Sequence, residues 1–122
     1  MHPPFPAEIL LAYCEPQRFA RGTTIYEAGT TGGGLMLLTE GRVKILTEQP
    51  SGKPILLYIF MPLHSFGFLP FLDGLPYPVT AIAVDDVTVM TMDRAALRQA
   101  IAENPDIAFT LMTTLAHKLR HT

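Results

Sequence analysis

The sequence predicts a mainly β fold, an antiparallel sandwich or barrel with helices at its two ends, and three observations support this prediction. Short segments rich in β-branched and aromatic residues recur through the middle of the chain, at residues 24–26, 35–38, 43–47, 55–60, 79–84 and 87–92. Turn-forming Gly, Pro and Asp residues separate them, a pattern typical of all-β domains. After residue 92 the apolar residues recur at helical spacing instead.

The composition suits one domain with a single hydrophobic core. The chain has 122 residues, of which 48% are hydrophobic and 16% are charged, and these values argue against disorder. The net charge of −2 argues against an autonomous nucleic-acid binder, which would carry a strongly positive surface. The single cysteine, Cys14, excludes an intramolecular disulfide, an iron–sulfur cluster and a cysteine-based zinc site.

No segment has the features of a membrane anchor or a targeting signal. The longest apolar run, residues 55–61, is far shorter than the ~20 residues that a membrane-spanning helix needs. The N-terminus has neither a basic region nor a long apolar stretch. We therefore expect a cytoplasmic protein without membrane association.

Local signals place the helices. Residues 6–13 are compatible with a short helix that Pro16 prevents from continuing. Asp93 is a suitable N-cap for a helix that ends near residue 103. A terminal helix follows, with Asn104 as its predicted N-cap and Pro105 at its first position. Ala108 and Met112 widen its apolar stripe, which consists of Ile107, Leu111, Leu115 and Leu119.

The order and spacing of several motifs resemble one known family. Residues 66–81 have the layout of a turn, a short helical piece and a return into a strand, and they resemble the phosphate-binding cassette of the cyclic-nucleotide-binding domain family. Residues 19–29 and 35–44 are similar to the strands and turns that precede the cassette in that family. The family's glycine framework, which serves turns that need positive φ, is matched by Gly22, Gly29, Gly41 and Gly67.

The resemblance extends over residues 18–122 and implies the sensor domain of a Crp/Fnr-type transcription regulator. The implied fold is a jelly-roll-like β-roll, or double-stranded β-helix, flanked by a short N-terminal helix and C-terminal helices. Residues 1–122 would form this sensor domain, and residues 105–122 would begin the helix through which such regulators form homodimers. The chain contains no DNA-binding domain, so we expect DNA to be bound only through a domain absent from this chain.

The cassette departs from the family pattern at both charged positions. Phe68 stands where the family has a carboxylate for the ribose hydroxyl, and Tyr77 stands where an Arg pairs with the phosphate. Asp73 is the only charged residue between positions 54 and 84. We therefore expect a pocket that binds neither cyclic AMP nor cyclic GMP and takes, if anything, a small apolar effector. Its predicted residues are Phe66, Gly67, Phe68, Leu69, Pro70, Phe71, Tyr77, Pro78, Val79, Thr80 and Thr122, with Thr80 as polar anchor.

Three other functions stay open at this point. The cassette could bind a nucleotide in an altered way, or the chain could be an interaction module without a ligand. A metal-dependent cupin enzyme would need clustered histidines on adjacent strands, which the sequence lacks. We therefore expect no catalytic residues and no enzyme.

The histidines give little support for a metal or a cofactor. His64, just before the cassette, is a candidate ligand for a metal or haem, since some family members are haem-based gas sensors. A loop histidine bonded to the backbone explains it more simply. His117 and His121 are spaced for chelation, but no third ligand is near in sequence, and His2 belongs to an N-terminal arm. We predict no cofactor, with haem as the alternative.

Overall fold

A computed structural model describes residues 10–121 of the chain. Eight strands form a roll, and a 3-10 helix, Leu11–Tyr13, precedes them. The strands are β1 (Glu15–Phe19), β2 (Thr24–Tyr26), β3 (Leu35–Glu40), β4 (Val43–Glu48), β5 (Pro54–Phe60), β6 (Ser65–Phe66), β7 (Thr80–Ala83) and β8 (Val87–Met92). The α-helices are α1 (Phe68–Asp73), α2 (Arg94–Glu103) and α3 (Asp106–Arg120).

The strands form two antiparallel four-stranded sheets, in the orders β1-β8-β3-β6 and β2-β7-β4-β5. Alternate residues of the central strands point between the sheets, where Val43, Ile45, Ala81, Ala83 and Val89 are buried. This alternation is the period of two that a half-buried strand requires. The mainly β roll with flanking helices is therefore confirmed.

Two turns explain the positions of glycines in the roll. Strands β4 and β5 form a hairpin, and Gly52 in its turn adopts a φ of 86°. Gly41, between β3 and β4, has a φ of 80°, and a Cβ atom at that position would overlap the carbonyl oxygen of Asp86. A side chain is therefore excluded at Gly41 both by the backbone conformation and by the close approach of another turn.

The helix ends follow the sequence signals in one case and depart from them in the other. The carboxylate of Asp93 accepts a hydrogen bond of 2.8 Å from the backbone N–H of Ala96 and caps α2 as predicted. Asn104 is not the side-chain cap of α3. It ends α2 through its backbone N–H, which donates to Ala100, and its extended backbone separates the two helices. Helix α3 begins at Asp106 without a side-chain cap.

The sequence signals missed two strands and located the N-terminal helix only in part. Strand β1 pairs with β8 along its whole length, and β6 pairs with β3 through two residues. Residues 6–9 of the predicted helix lie outside the described part of the chain, and residues 11–13 form the 3-10 helix. Within residues 10–121, every helix is too short or too polar to cross a membrane.

A second hydrophobic cluster fastens the helices to the roll. Phe71 of α1, Leu97 and Ala100 of α2, and Ile107 and Leu111 of α3 are all buried in it. Leu35 and Met92 contribute from the ends of β3 and β8. This cluster fixes α1 and α3 beside each other at one end of the roll, where the candidate site lies.

Candidate functional site

The turn before α1 can be made only by glycine. Gly67 has a φ of 83°, in the left-handed region, and a Cβ atom there would lie 2.8 Å from the carbonyl oxygen of Gly34. The short helix then ends at Gly74, and the carboxylate of Asp73 accepts from the backbone N–H of Leu75. The predicted sequence of turn, helical piece and return strand is therefore present at residues 66–81.

A cavity of about 210 Å³ opens beside this turn, between α1, the β2-β7-β4-β5 sheet and the end of α3. The structure brings most of the predicted pocket residues to it, namely Phe66, Gly67, Phe68, Leu69, Pro70, Tyr77, Pro78 and Val79. The lining residues that were not predicted are Tyr26, Ile45, Tyr58, Phe60, His64, Ser65 and Lys118. The walls are mainly aromatic and aliphatic, as an apolar ligand would require.

Two predicted pocket residues, Phe71 and Thr80, do not line this cavity. Phe71 is fully buried in the cluster that joins the helices to the roll. The hydroxyl of Thr80 accepts a 3.0 Å hydrogen bond from the backbone N–H of Ala28 and lines a different cavity, so it is not the polar anchor. Thr122 lies outside the described residues.

Tyr77, which is predicted to replace the phosphate-binding Arg of the family, lines the cavity and is held by several contacts. Its ring stacks on Tyr26 with centroids 3.9 Å apart and an interplanar angle of 10°. Its backbone bonds to Thr30 and Gly29 hold it in place. A Cβ atom at Gly33 would overlap its hydroxyl, so the glycine makes room for the phenol. Burial raises the pKa of both tyrosines, and both rings stay neutral at pH 7.

Lys118 brings a cation to the cavity from α3. Its Nζ donates a 3.1 Å hydrogen bond to the backbone carbonyl of Ser65 and lies 5.2 Å from the centre of the Phe68 ring. Burial lowers the pKa of Lys118, because desolvation disfavours its charged form. The sequence did carry a signal for this residue. Lys118 follows Leu111 and Thr114 at helical spacing, so the face that is buried on the roll had to include it.

His64 lies in the cavity wall as an aromatic surface. Its ring stacks on Phe60 with centroids 4.0 Å apart. His117 and His121 contact each other on α3, with centroids 4.3 Å apart. Within residues 10–121, His, Cys, Asp and Glu side chains form no group of three that could hold a metal ion. Ring packing therefore accounts for the positions of these histidines, and the absence of a bound metal or haem stays a prediction.

The predicted dimer stripe divides between two environments. Ile107 and Leu111 are 1% and 5% exposed in the core of their own chain, and Leu115 is half-buried against it. The prediction that these residues meet a second subunit is therefore wrong for Ile107 and Leu111, because the roll already covers that face. Leu119 is 76% exposed. The exposed face of α3 also carries Phe109, Met112 and Ala116, so Met112 does not widen the inner stripe.

Comparisons with known proteins agree with this arrangement. The family model described as cyclic nucleotide-binding domain matches residues 16–104. A CRP-like cAMP-activated global transcriptional regulator from Mycobacterium tuberculosis (strain CDC 1551 / Oshkosh) is 38% identical over 108 residues, which are 88% of this chain and 48% of that protein. The chain thus spans about half the length of the curated relatives it matches. The Mycobacterium tuberculosis relative is named as a transcriptional regulator, in agreement with the prediction of no enzyme.

Solved structures show the same fold. The catabolite activator protein of Thermus thermophilus has a TM-score of 0.87 at 26% identity, over 94% of this chain and 54% of that one. The N-terminal domain of a transcriptional regulator from Streptomyces coelicolor A3(2) has a TM-score of 0.84 at 28% identity, over 94% and 80% of the two chains. Both superpose on the roll together with its flanking helices.

Proposed function

Because the chain belongs to the cyclic nucleotide-binding domain family, we propose that it is the effector-sensing domain of a Crp/Fnr-type transcription regulator. One observation carries this proposal. The cavity is closed on one side by Lys118 of α3, and the opposite face of the same helix exposes Phe109, Met112 and Leu119. A ligand in the cavity therefore touches the element that would meet a second subunit, and this is the coupling that a sensor needs.

The effector that we propose is not cyclic AMP or cyclic GMP, although the Mycobacterium tuberculosis relative is named as cAMP-activated. Phe68 and Tyr77 replace the two charged groups of the cassette, and each lost charge-assisted hydrogen bond costs about 1.5–3 kcal/mol. Together they weaken binding by about 10²–10⁴-fold. Lys118 offers one point charge where an Arg would grip phosphate through two parallel bonds.

We also propose a homodimer built on the exposed face of α3. Phe109, Met112, Ala116 and Leu119 repeat at steps of three and four residues, as the a and d positions of a helix pair do. Strand β5 adds to this surface. It is an uncharged edge strand exposed along most of its length, and its Tyr58 lines the same cavity as Lys118. An uncovered apolar edge is an aggregation hazard, and a second copy would cover it.

The remaining parts of the proposal concern the whole regulator. DNA would be bound by a domain outside this chain, and the protein would act in the cytoplasm. The name of the Mycobacterium tuberculosis relative, a transcriptional regulator, supports this assignment, and the net charge of −2 agrees with a domain that does not bind DNA by itself.

Two measurements test the proposal. Calorimetry with cyclic AMP and cyclic GMP should detect no binding tighter than ~10 µM, about −7 kcal/mol, and tighter binding would show that the altered cassette still takes a nucleotide. Val79→Phe fills the cavity and should change the dimer dissociation constant in sedimentation experiments. Val84→Phe, at a half-buried position outside the cavity lining, is the control. A dimer that responds equally to both variants would refute the coupling.

A further inference from the structure

We infer that the effector is a small, mainly apolar carboxylate whose negative charge binds the ammonium group of Lys118. This inference rests on the proposed sensing function and specifies the ligand class of the same cavity.

Lys118 is placed to receive an anion. Its ammonium has three N–H donors, and one of them reaches the carbonyl of Ser65 at 3.1 Å. The ring of Phe68, at 5.2 Å, supplies a cation–π contact, which compensates the positive charge of Lys118 only in part. Among residues 10–121, none of those that line the cavity is Asp or Glu. A half-buried cation without a carboxylate in its pocket is stabilised by a ligand that brings one, because buried charges are normally paired.

The walls specify the rest of the ligand. Phe60, Phe66, Tyr58 and Leu69 present apolar surface around the cation, so a ligand with extensive hydroxyl groups would lose hydrogen bonds on entry. The volume of about 210 Å³ lies below the ~300–1,000 Å³ of pockets for drug-sized molecules. A single aromatic system or a short acyl chain with one carboxylate matches both the charge and the volume.

The position of Lys118 in the last turn of α3 connects this ligand to the dimer face. Leu119, the next residue, is exposed on the outer face. An incoming carboxylate would pull the ammonium toward the cavity, so occupancy changes the contact with the Ser65 carbonyl that holds the end of α3 against the roll. The neutral analogue of the same ligand would fill the cavity without exerting this pull.

Calorimetry with matched acids and amides tests the inference. The probes are benzoate, phenylacetate, 2-naphthoate and octanoate, each paired with its uncharged primary amide, and 2-naphthalenesulfonate serves as a second anion. At least one acid should bind the wild-type chain, and its amide should bind about 10–100-fold more weakly, as expected for loss of a charged hydrogen bond. Lys118→Met should reduce acid binding by the same factor and leave amide binding unchanged. Lys118→Arg should retain most of the acid affinity.

Lys53→Met is the matched control, since it removes the same charge at an exposed hairpin position outside the cavity lining, and it should bind the acid as wild type does. If amides bind as tightly as acids, or if Lys118→Met and Lys53→Met behave alike, the charge inference is wrong while the cavity remains an effector site. Binding of the sulfonate but no carboxylate would also overturn the assigned class, and so would the absence of binding by any acid at 1 mM, ~−4.1 kcal/mol. Failure of the sensing function itself would appear separately, in the Val79→Phe dimer experiment.

Discussion

The two faces of α3 have similar apolar content and opposite surroundings. The inner face places Ile107, Leu111 and Thr114 against the roll, where all three are buried. The outer face leaves Phe109 69% exposed and Met112 58% exposed. The inner face stabilises the monomer, and the outer face is available to a partner.

This difference shows that apolar periodicity predicts a helix without predicting what each stripe contacts. Both stripes of α3 satisfy helical spacing, and both contain large apolar side chains. The position of α3 relative to α2 decides which stripe is buried, because Leu97 and Ala100 of α2 share a cluster with Ile107 and Leu111 of α3. The two faces should therefore respond differently to the same chemical change, and the following predictions test that.

The largest effect is expected from Leu111→Asp on the inner face. The substitution removes a side chain that is 5% exposed and buries a carboxylate in the cluster that joins the helices to the roll. Loss of a buried Leu costs about 2–5 kcal/mol, and the unpaired charge adds to it. Urea denaturation should show a chain that is largely unfolded. Met112→Asp, one residue away on the outer face, is the control and should unfold at nearly the wild-type urea concentration.

A weaker effect, visible only in association, is expected from Leu119→Asp on the outer face. Leu119 is 76% exposed in the single chain, so its replacement should change the free energy of unfolding of the monomer by no more than ~0.5 kcal/mol. Two carboxylates facing each other in a helix pair should raise the dimer dissociation constant more than tenfold. Sedimentation equilibrium measures this directly. Thr113→Asp changes another exposed position of α3 that lies outside the stripe, and it is the control. An equal loss of dimer in this variant would contradict a dimer built on the outer face of α3.

Much of the roll was predictable because its signals are local. The segments at residues 43–47 and 87–92 coincide with β4 and β8 within one residue, since alternating apolar residues bounded by turn residues specify a strand by themselves. Strand β1 was missed because Glu15–Phe19 contains Pro16 and two charged residues, and it is a strand only through its pairing with β8. Such pairing is a tertiary property that no local pattern reports.

The sequence predicted the location of the candidate site but only part of the residues that form it. Gly67 and the aromatic residues that follow it mark the turn and the cavity wall, because a left-handed turn needs glycine. Lys118 is separated from Ser65 by 53 residues, and only the packing of α3 brings them together. Phe71 was misplaced for a related reason. Residues 68–72 of α1 are all apolar, and the sequence does not distinguish those that reach the cavity from those that only fill the core.

The smallest effect is expected where the inner face changes from core to cavity, at Lys118. Without a ligand, Lys118→Met should raise the stability of the chain slightly, by up to ~1 kcal/mol, because it replaces a partly desolvated cation with an apolar side chain of similar length.

The lowered pKa of Lys118 gives this gain in stability a pH dependence. At neutral pH the lysine is charged in the folded and unfolded chains, so the folded chain bears the desolvation cost. As the pH rises from the lowered folded pKa toward the unfolded value of about 10.4, the folded lysine becomes neutral first and the wild type gains stability relative to the variant. Thermal unfolding of both chains from pH 7 to 10.5 should therefore show a difference that shrinks with pH. Lys53→Met, at an exposed position, is the control for the loss of one lysine, and a difference for Lys118→Met that stays constant or grows with pH would mean that its ammonium is not desolvated by the cavity wall.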